Sequence, residues 1–318
     1  MLQKNEYDES LKQARQSWGQ RALPYLFVAP ALILFVGLLL YPMVQAISYS
    51  FFTWEGTNRG AFAPLSNYGA LFTQEPYATQ FPRAFWHNVL LFVTTMVVQN
   101  TFGLFIAVQL QRVNTFARLF RVLYTMPYLA SPLVMGYLWS LMLSDSYGVV
   151  NYILRSVGLE SMARSWLGEP SIALWAVIFV AIWQWLGFPI LLYGAALSGV
   201  DQSVVEASRI DGANGFQQVR HILVPLIFPA IGTTTILTFI STMEIFPIVY
   251  ALGGSTGNPA GATDVLGLLF YRTSFQSGSV NSIGISSALA TILFLLVFVG
   301  SFIANGFIRR REEGLQAG

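Results

Sequence analysis

The chain contains no cysteine and only two histidines. Disulfides, thiolate metal sites and cysteine nucleophiles are therefore excluded. His87 and His221 stand too far apart in sequence to form a metal-ligand spacing. Lysine occurs only as Lys4 and Lys12, so no G-x-x-x-x-G-K-[ST] phosphate loop can exist in this sequence. If ATP drives the protein, another subunit binds it. Charge of either sign is scarce: 10% of residues are charged and 54% are hydrophobic. A soluble domain carries about 25% charged residues. Water is not the main solvent here.

What is abundant is long apolar sequence. Six segments stand out, at about 24–51, 87–110, 118–143, 171–198, 225–252 and 283–308. Crossing a bilayer takes roughly 20 apolar residues. The expectation is an all-α, polytopic membrane bundle of about six transmembrane helices, forming a single domain over 1–318 behind a short tail at 1–23. Lys4, Lys12, Arg15 and Arg21 before the first segment resemble a signal-peptide n-region. That segment is far longer than a signal core, however, and Ala46-Ile47-Ser48 is a poor cleavage site, so it is read as an uncleaved span. Pro30, Pro42, Pro127, Pro132, Pro189, Pro229 and Pro247 lie in or at the ends of spans. Proline frees backbone carbonyls, which membrane helices tolerate where protein or a cavity satisfies them. A bent, cavity-bearing bundle is expected.

Of the 17 lysines and arginines, only Arg59, Arg83, Arg155, Arg164 and Arg272 fall on one side of these spans. The rest fall on the other, which places both termini in the cytoplasm. The polar loop at about 200–224 then also faces the cytoplasm, whereas 52–86, 144–170 and 253–282 lie outside and are too short for a separate domain. In the loop, Asp201 can cap a short helix by accepting a backbone N–H. Val204, Ala207 and Ser208 share one side at i, i+3, i+4 spacing, with Glu206 beside them. Asp211-Gly212 ends the helix, glycine accepting the left-handed conformation that a reversal needs. Asn214 can cap a second helix in which Phe216, Val219, Ile222 and Leu223 form an apolar stripe. The plain alternative is a solvated linker on the membrane surface with Glu206 and Arg209 paired.

Glu206-Ala207-Ser208-x-x-Asp211-Gly212-Ala213, followed by Ile222-Leu223-Val224-Pro225-Leu226, resembles the EAA loop of permease subunits of bacterial ABC importers. Within them the likeness is to the carbohydrate-uptake class of the maltose and glycerol-phosphate type. Pro24 to Ala31, Ser50-Phe51-Phe52-Thr53-Trp54, Arg118-Leu119-Phe120-Arg121 to Met126-Pro127, Val249 to Gly254 and Ala262-Thr263-Asp264 support it. Ser208 stands where that pattern has its second alanine, and the glycine-rich outer loop is longer than the family's form. The resemblance implies a type I importer permease fold in the bacterial inner membrane. Glu206, Ala207, Ser208, Asp211 and Gly212 would be the residues coupled to an ATPase. It further implies a non-catalytic chain paired with a second, homologous permease, two ATPase subunits that use ATP and magnesium, and an extracytoplasmic sugar-binding protein. No cofactor on this chain and no nucleic-acid partner are implied.

For the cargo path, Glu244 is the one acidic residue placed well inside a span, and such groups usually face a cavity. Thr234, Thr238, Ser241 and Thr242 lead to it along one stripe. Asn88, Gln184, Trp183 and Trp185 are further candidates, because aromatic faces stack on sugar rings and amides hydrogen-bond hydroxyls. Gln99, Asn100 and Asn305 are polar too. Aromatic belts and interhelical hydrogen bonds are the packing alternatives. The stretch Gly253 to Gly261 is expected to be a flexible outer lip. A secondary, ion-coupled transporter or a permease for a non-sugar solute are the competing functions. The former predicts inverted repeats and paired intramembrane ions, and the sequence displays one buried acid and no repeat.

Overall fold

The structure, a computed structural model, describes residues 18–112 and 117–316. Lys4, Lys12 and Arg15 of the basic N-terminal stretch lie outside them. The described chain begins with α1 (Trp18–Phe35), which runs through a π turn (Val36–Leu40) into α2 (Tyr41–Tyr49). An antiparallel hairpin, β1 (Phe52–Glu55) and β2 (Asn58–Phe62), leads to α3 (Ser66–Thr73) and the long α4 (Tyr77–Arg112). Next come α5 (Ala117–Leu129), α6 (Pro132–Met142), α7 (Val149–Ser156), α8 (Pro170–Trp185) and α9 (Gly187–Ser198). The polar loop holds α10 (Gln202–Ile210), α11 (Gly215–Gln218), a second π turn (Val219–Leu223) and α12 (Val224–Leu226). α13 (Phe228–Met243), α14 (Pro247–Gly253), α15 (Leu266–Phe275) and α16 (Ser282–Gln316) complete the fold.

Four helical runs among the described residues are long and apolar enough to span a bilayer: Leu23–Tyr49, Tyr77–Gln111, Pro170–Ser198 and Ser282–Gly314. A fifth is bent, Gly215–Leu226 meeting Phe228–Met243 at 74°. The third and fifth apolar segments of the sequence are divided rather than continuous, and proline is the reason. Residues before proline are pushed out of the helical region. Ser131, before Pro132, has φ −59° and ψ 126°, and Phe246, before Pro247, has φ −139° and ψ −59°. The two short pieces that follow the breaks, α6 and α14, then pack on each other. A Cβ on Gly136 would lie 2.6 Å from the Ala251 Cβ and 3.1 Å from the Ile248 carbonyl. Only glycine allows the backbones to approach that closely.

Both π turns also trace to proline. Tyr41 donates its N–H to the Val36 carbonyl, and Val224 to the Val219 carbonyl, each five residues back and each just before a proline. The proline ring clashes with the carbonyl four residues before it, and widening the turn by one residue relieves the clash.

Among the described residues, three apolar clusters hold the bundle. A central one joins α4, α8, α14 and α15 through Leu91, Val177, Val180, Ile248, Val249 and Leu268. An outer one joins α3, α4, α15 and the start of α16 through Leu71, Phe81, Leu269, Ile285 and Leu289. The last lies at the far end of α4, where Ala107 and Val108 meet Tyr193, Leu197 and Ile227. Val219 and Leu223 of the polar loop pack onto this cluster.

The stretch expected as a flexible lip is an ordered, clamped loop. Asp264 is fully buried, with Arg272 Nη2 at 2.8 Å and Arg83 Nη2 at 3.7 Å from its Oδ2. Arg272 also donates to the Ser255 carbonyl (2.8 Å) and to Gln80 Oε1 (2.9 Å), and Arg83 donates to the Ala260 carbonyl (3.3 Å). His87 Nδ1 donates to the Asp264 carbonyl at 2.7 Å. These partners sit on α4 and α15, so the loop is fastened to two helices at once.

Candidate functional site

The polar loop is built as a stiff joint. The Asp201 carboxylate accepts the Ser203 N–H at 2.9 Å and starts α10. That backbone bond holds Asp201 below its ordinary carboxylate range. Because its pKa is lowered on folding, the cap contributes above the ordinary value and is lost as pH falls through the lowered one. At the other end of α10, Gly212 has φ +83°. Gly212 donates to the Arg209 carbonyl (3.1 Å) and Ala213 to the Ser208 carbonyl (2.9 Å). This pair of bonds is the Schellman closure that a left-handed residue permits. Asn214 then opens α11 with a full capping box, its Oδ1 taking Phe216 and Gln217 N–H while Gln217 Oε1 takes the Asn214 N–H. Both helices are too short to be stable alone, and the reciprocal caps supply what length does not.

The joint has an inside and an outside. Ser208 is buried, donating to the Val205 carbonyl at 2.6 Å and accepting from the buried Gln218 Nε2 at 3.2 Å. These bonds hold α10 to α11, and Val219 and Leu223 pack the loop against α9, α4 and α13. Outward lie Glu206, Ala207 and Asp211, together with Val204, Ile210 and Phe216, the last two 87% and 71% exposed. A depression of about 320 Å³ opens beside them, lined by Asp211, Gly212, Ala213, Gln217, His221 and Ile222. None of the ion pairs among the described residues involves Glu206. Its carboxylate does not pair with Arg209.

A second feature lies in the bundle. A cavity of about 510 Å³ is lined by Tyr128 and Pro132 at the break in the third segment, Trp185 and Phe188 in the fourth, and Ser241, Glu244 and Pro247 at the break in the fifth. Gln99 of α4 and Thr238 complete its polar lining. Glu244 also borders a neighbouring cavity of about 980 Å³ between α13, α15 and α16, where Tyr271, Ser301 and Asn305 add polar groups. Irregular backbone at membrane depth is tolerated where it lines a cavity, and interrupted helices around a central cavity are a transporter arrangement.

Residues 99–313 match the family of binding-protein-dependent transport system inner membrane components. The chain belongs to this family. It is 30% identical to the probable ABC transporter permease protein YurN of Bacillus subtilis, over 92% of this chain and 98% of that one. It is also 30% identical to the lactose transport system permease protein LacF of Rhizobium radiobacter, over 91% and 94% respectively. Its fold superposes on a chain of a bacterial ABC transporter that imports the acidic polysaccharide alginate, with a TM-score of 0.78 at 23% identity. That likeness covers 92% of this chain and 97% of the other. This permease therefore has the type I importer fold and is a multi-pass membrane transport component.

The permease brings some of the sequence candidates together and separates others. Glu244, Ser241 and Trp185 share the 510 Å³ cavity. Glu244 does not lie within a continuous helix as expected; it ends α13, at φ −95° and ψ 5°. Trp183 points elsewhere, its ring 5.3 Å from that of Trp139. Gln184 is fully buried and donates to the Ala130 carbonyl at 3.2 Å, covering backbone freed by the break before Pro132. Asn88 is likewise fully buried and bonded to backbone on two other segments. Asn100 accepts a hydrogen bond from Tyr193. The threonine stripe divides as well: Thr234 and Thr242 are buried, returning their hydroxyls to carbonyls four residues back. In the loop, Ser208 turns inward, away from the exposed Ala207 and Val204. The missed wall residues Tyr128 and Phe188 have rings 5.8 Å apart, and the nearby prolines, Pro127 and Pro189, were the available signal.

Proposed function

We propose that this permease forms half of the pathway of a sugar importer and is moved by separate ATPase subunits through the 201–225 joint. The joint carries the reading: a loop capped at each turn, stitched inward by Ser208–Gln218 and Val219–Leu223, offering Glu206, Ala207 and Asp211 outward. A flexible linker needs no such closure, whereas a lever must move without slack. Glu206, in no ion pair among the described residues, suits a basic residue on the partner. Gly212 sets the reversal that presents both faces. Force on α10 and α11 then passes through the widened turn at Val219–Leu223 and the 74° bend into α13, which ends at the cavity.

The remaining partners are those expected of a binding-protein-dependent transport system. A second, homologous permease closes the other half of the path, two ATPase subunits use ATP and magnesium at the cytoplasmic face, and an extracytoplasmic binding protein delivers the cargo. Both termini then lie in the cytoplasm, and residues 1–318 act as one permease domain. A sugar is supported by the 30% identity to a lactose system permease and by the cavity itself. Aromatic faces of Tyr128, Trp185 and Phe188 can stack on sugar rings, while Gln99, Ser241 and Glu244 offer groups for hydroxyls. Glu244→Ala in the reconstituted complex is expected to lower sugar uptake while leaving the affinity of the binding protein for the sugar unchanged. Uptake equal to wild type from low to saturating sugar would return Glu244 to a packing role.

A further inference from the structure

The break that places Glu244 on the cavity leaves backbone groups without helical partners. In a continuous helix the Met243 carbonyl would accept the N–H of residue 247, but that residue is proline and has none. The Thr242 carbonyl loses its partner too, because α13 ends at Met243 and Phe246 leaves the helical region. At the start of α15, the Leu266 N–H is one of the orphan donors that every helix N-terminus carries. Burial of three such groups costs free energy unless each finds a partner.

One side chain serves all of them. Asn88 of α4, fully buried, donates through Nδ2 to the Thr242 carbonyl at 2.7 Å and to the Met243 carbonyl at 3.3 Å. Its Oδ1 accepts the Leu266 N–H at 2.8 Å. An amide is the smallest side chain with two donors and an acceptor in one plane, and no hydrocarbon of the same shape could replace it. The geometry points to Asn88 as a positioning residue that pins the end of α13 and the start of α15 to α4, and so sets where Glu244 stands in the cavity. Asn88 is not among the residues that line that cavity. It acts through Glu244, and the inference rests on the reading of Glu244 as a pathway residue.

The test is a double-substitution cycle in the assembled, reconstituted transporter with its binding protein, comparing Asn88→Ala, Glu244→Ala and both together. Asn88→Ala is expected to lower the maximum uptake rate about tenfold, within the range for coupled neighbours, with the half-saturating concentration of loaded binding protein unchanged. In the Glu244→Ala background the same change is expected to have no further effect. If Glu244→Ala alone lowers uptake and Asn88→Ala lowers it by its full factor in both backgrounds, Asn88 only supports the fold and the inference is wrong. Wild-type uptake from Glu244→Ala alone would instead defeat the pathway reading beneath it. Should Asn88→Ala fail to assemble, Asn88→Ser, which keeps one donor, runs the same cycle.

Discussion

Arg272→Met is expected to destabilise the assembled permease by about 3–5 kcal/mol, the cost of removing one partner of a buried ion pair. Asp264 has no exposed side-chain surface, and Arg272 is its 2.8 Å partner. Arg83 cannot substitute, since it stands at 3.7 Å and is 34% exposed. The methionine keeps much of the packing volume but leaves a carboxylate buried beside one distant cation. It also releases the Ser255 carbonyl and Gln80. The loss should appear as a lowered thermal midpoint and as faster amide exchange across 254–264 than across α8. Replacing Asp264 and Arg272 together by leucine should cost less than Arg272→Met alone, because no unpaired charge remains. An unchanged midpoint and unchanged exchange in Arg272→Met would mean that the clamp does not hold the loop.

Gly212→Val is expected to abolish uptake while leaving the chain in the membrane. Among the described residues nothing lies within 4 Å of where a Cβ would stand, so contact is not the obstacle. The obstacle is the φ of +83°, which costs a non-glycine residue about 1–2 kcal/mol and is least accessible to a β-branched one. Losing that conformation undoes the bonds from Gly212 and Ala213 that close α10. The outward face is then presented at the wrong angle. Glu206→Ala leaves the turn intact and, if Glu206 pairs with the ATPase as proposed, is expected to cost about 1.5–3 kcal/mol of that contact, or roughly 10- to 150-fold in affinity. ATPase co-purification and ATP-dependent uptake are the readouts. Both variants transporting at wild-type rate with normal assembly would remove the loop from the coupling path.

Local signals in the sequence carried furthest where structure is itself local. Asp201, Gly212 and Asn214 could be placed because caps and reversals involve residues two to five apart, and each stands in the role its chemistry suggests. Apolar length identified the long helices. Proline signalled the breaks at Ser131 and Phe246, but whether proline kinks a span or divides it depends on what covers the freed carbonyls. The covering groups, Gln184 and Asn88, come from 54 and 154 residues away in sequence. For the same reason the amides resembled cargo ligands rather than the backbone partners they are. The outer loop looked flexible because glycine content is visible and its clamp is not: Gln80 and Arg272 are 192 residues apart. Within α10, spacing alone grouped Ser208 with Ala207, and only the position of Gln218 turned the serine inward.

Because the chain has no cysteine, a single introduced thiol can report which face of the joint meets the ATPase. Ala207→Cys, exposed on α10, would be labelled with a short thiol-reactive photo-crosslinker in membranes holding the complete transporter. Asn58→Cys, on the exposed β1–β2 hairpin, serves as the control. An ATP-binding polypeptide is expected to be captured from position 207 and not from position 58, with the yield changing between nucleotide-free and ATP-trapped states. An active, assembled transporter that yields no ATPase adduct from position 207, or yields it equally from position 58, would contradict it.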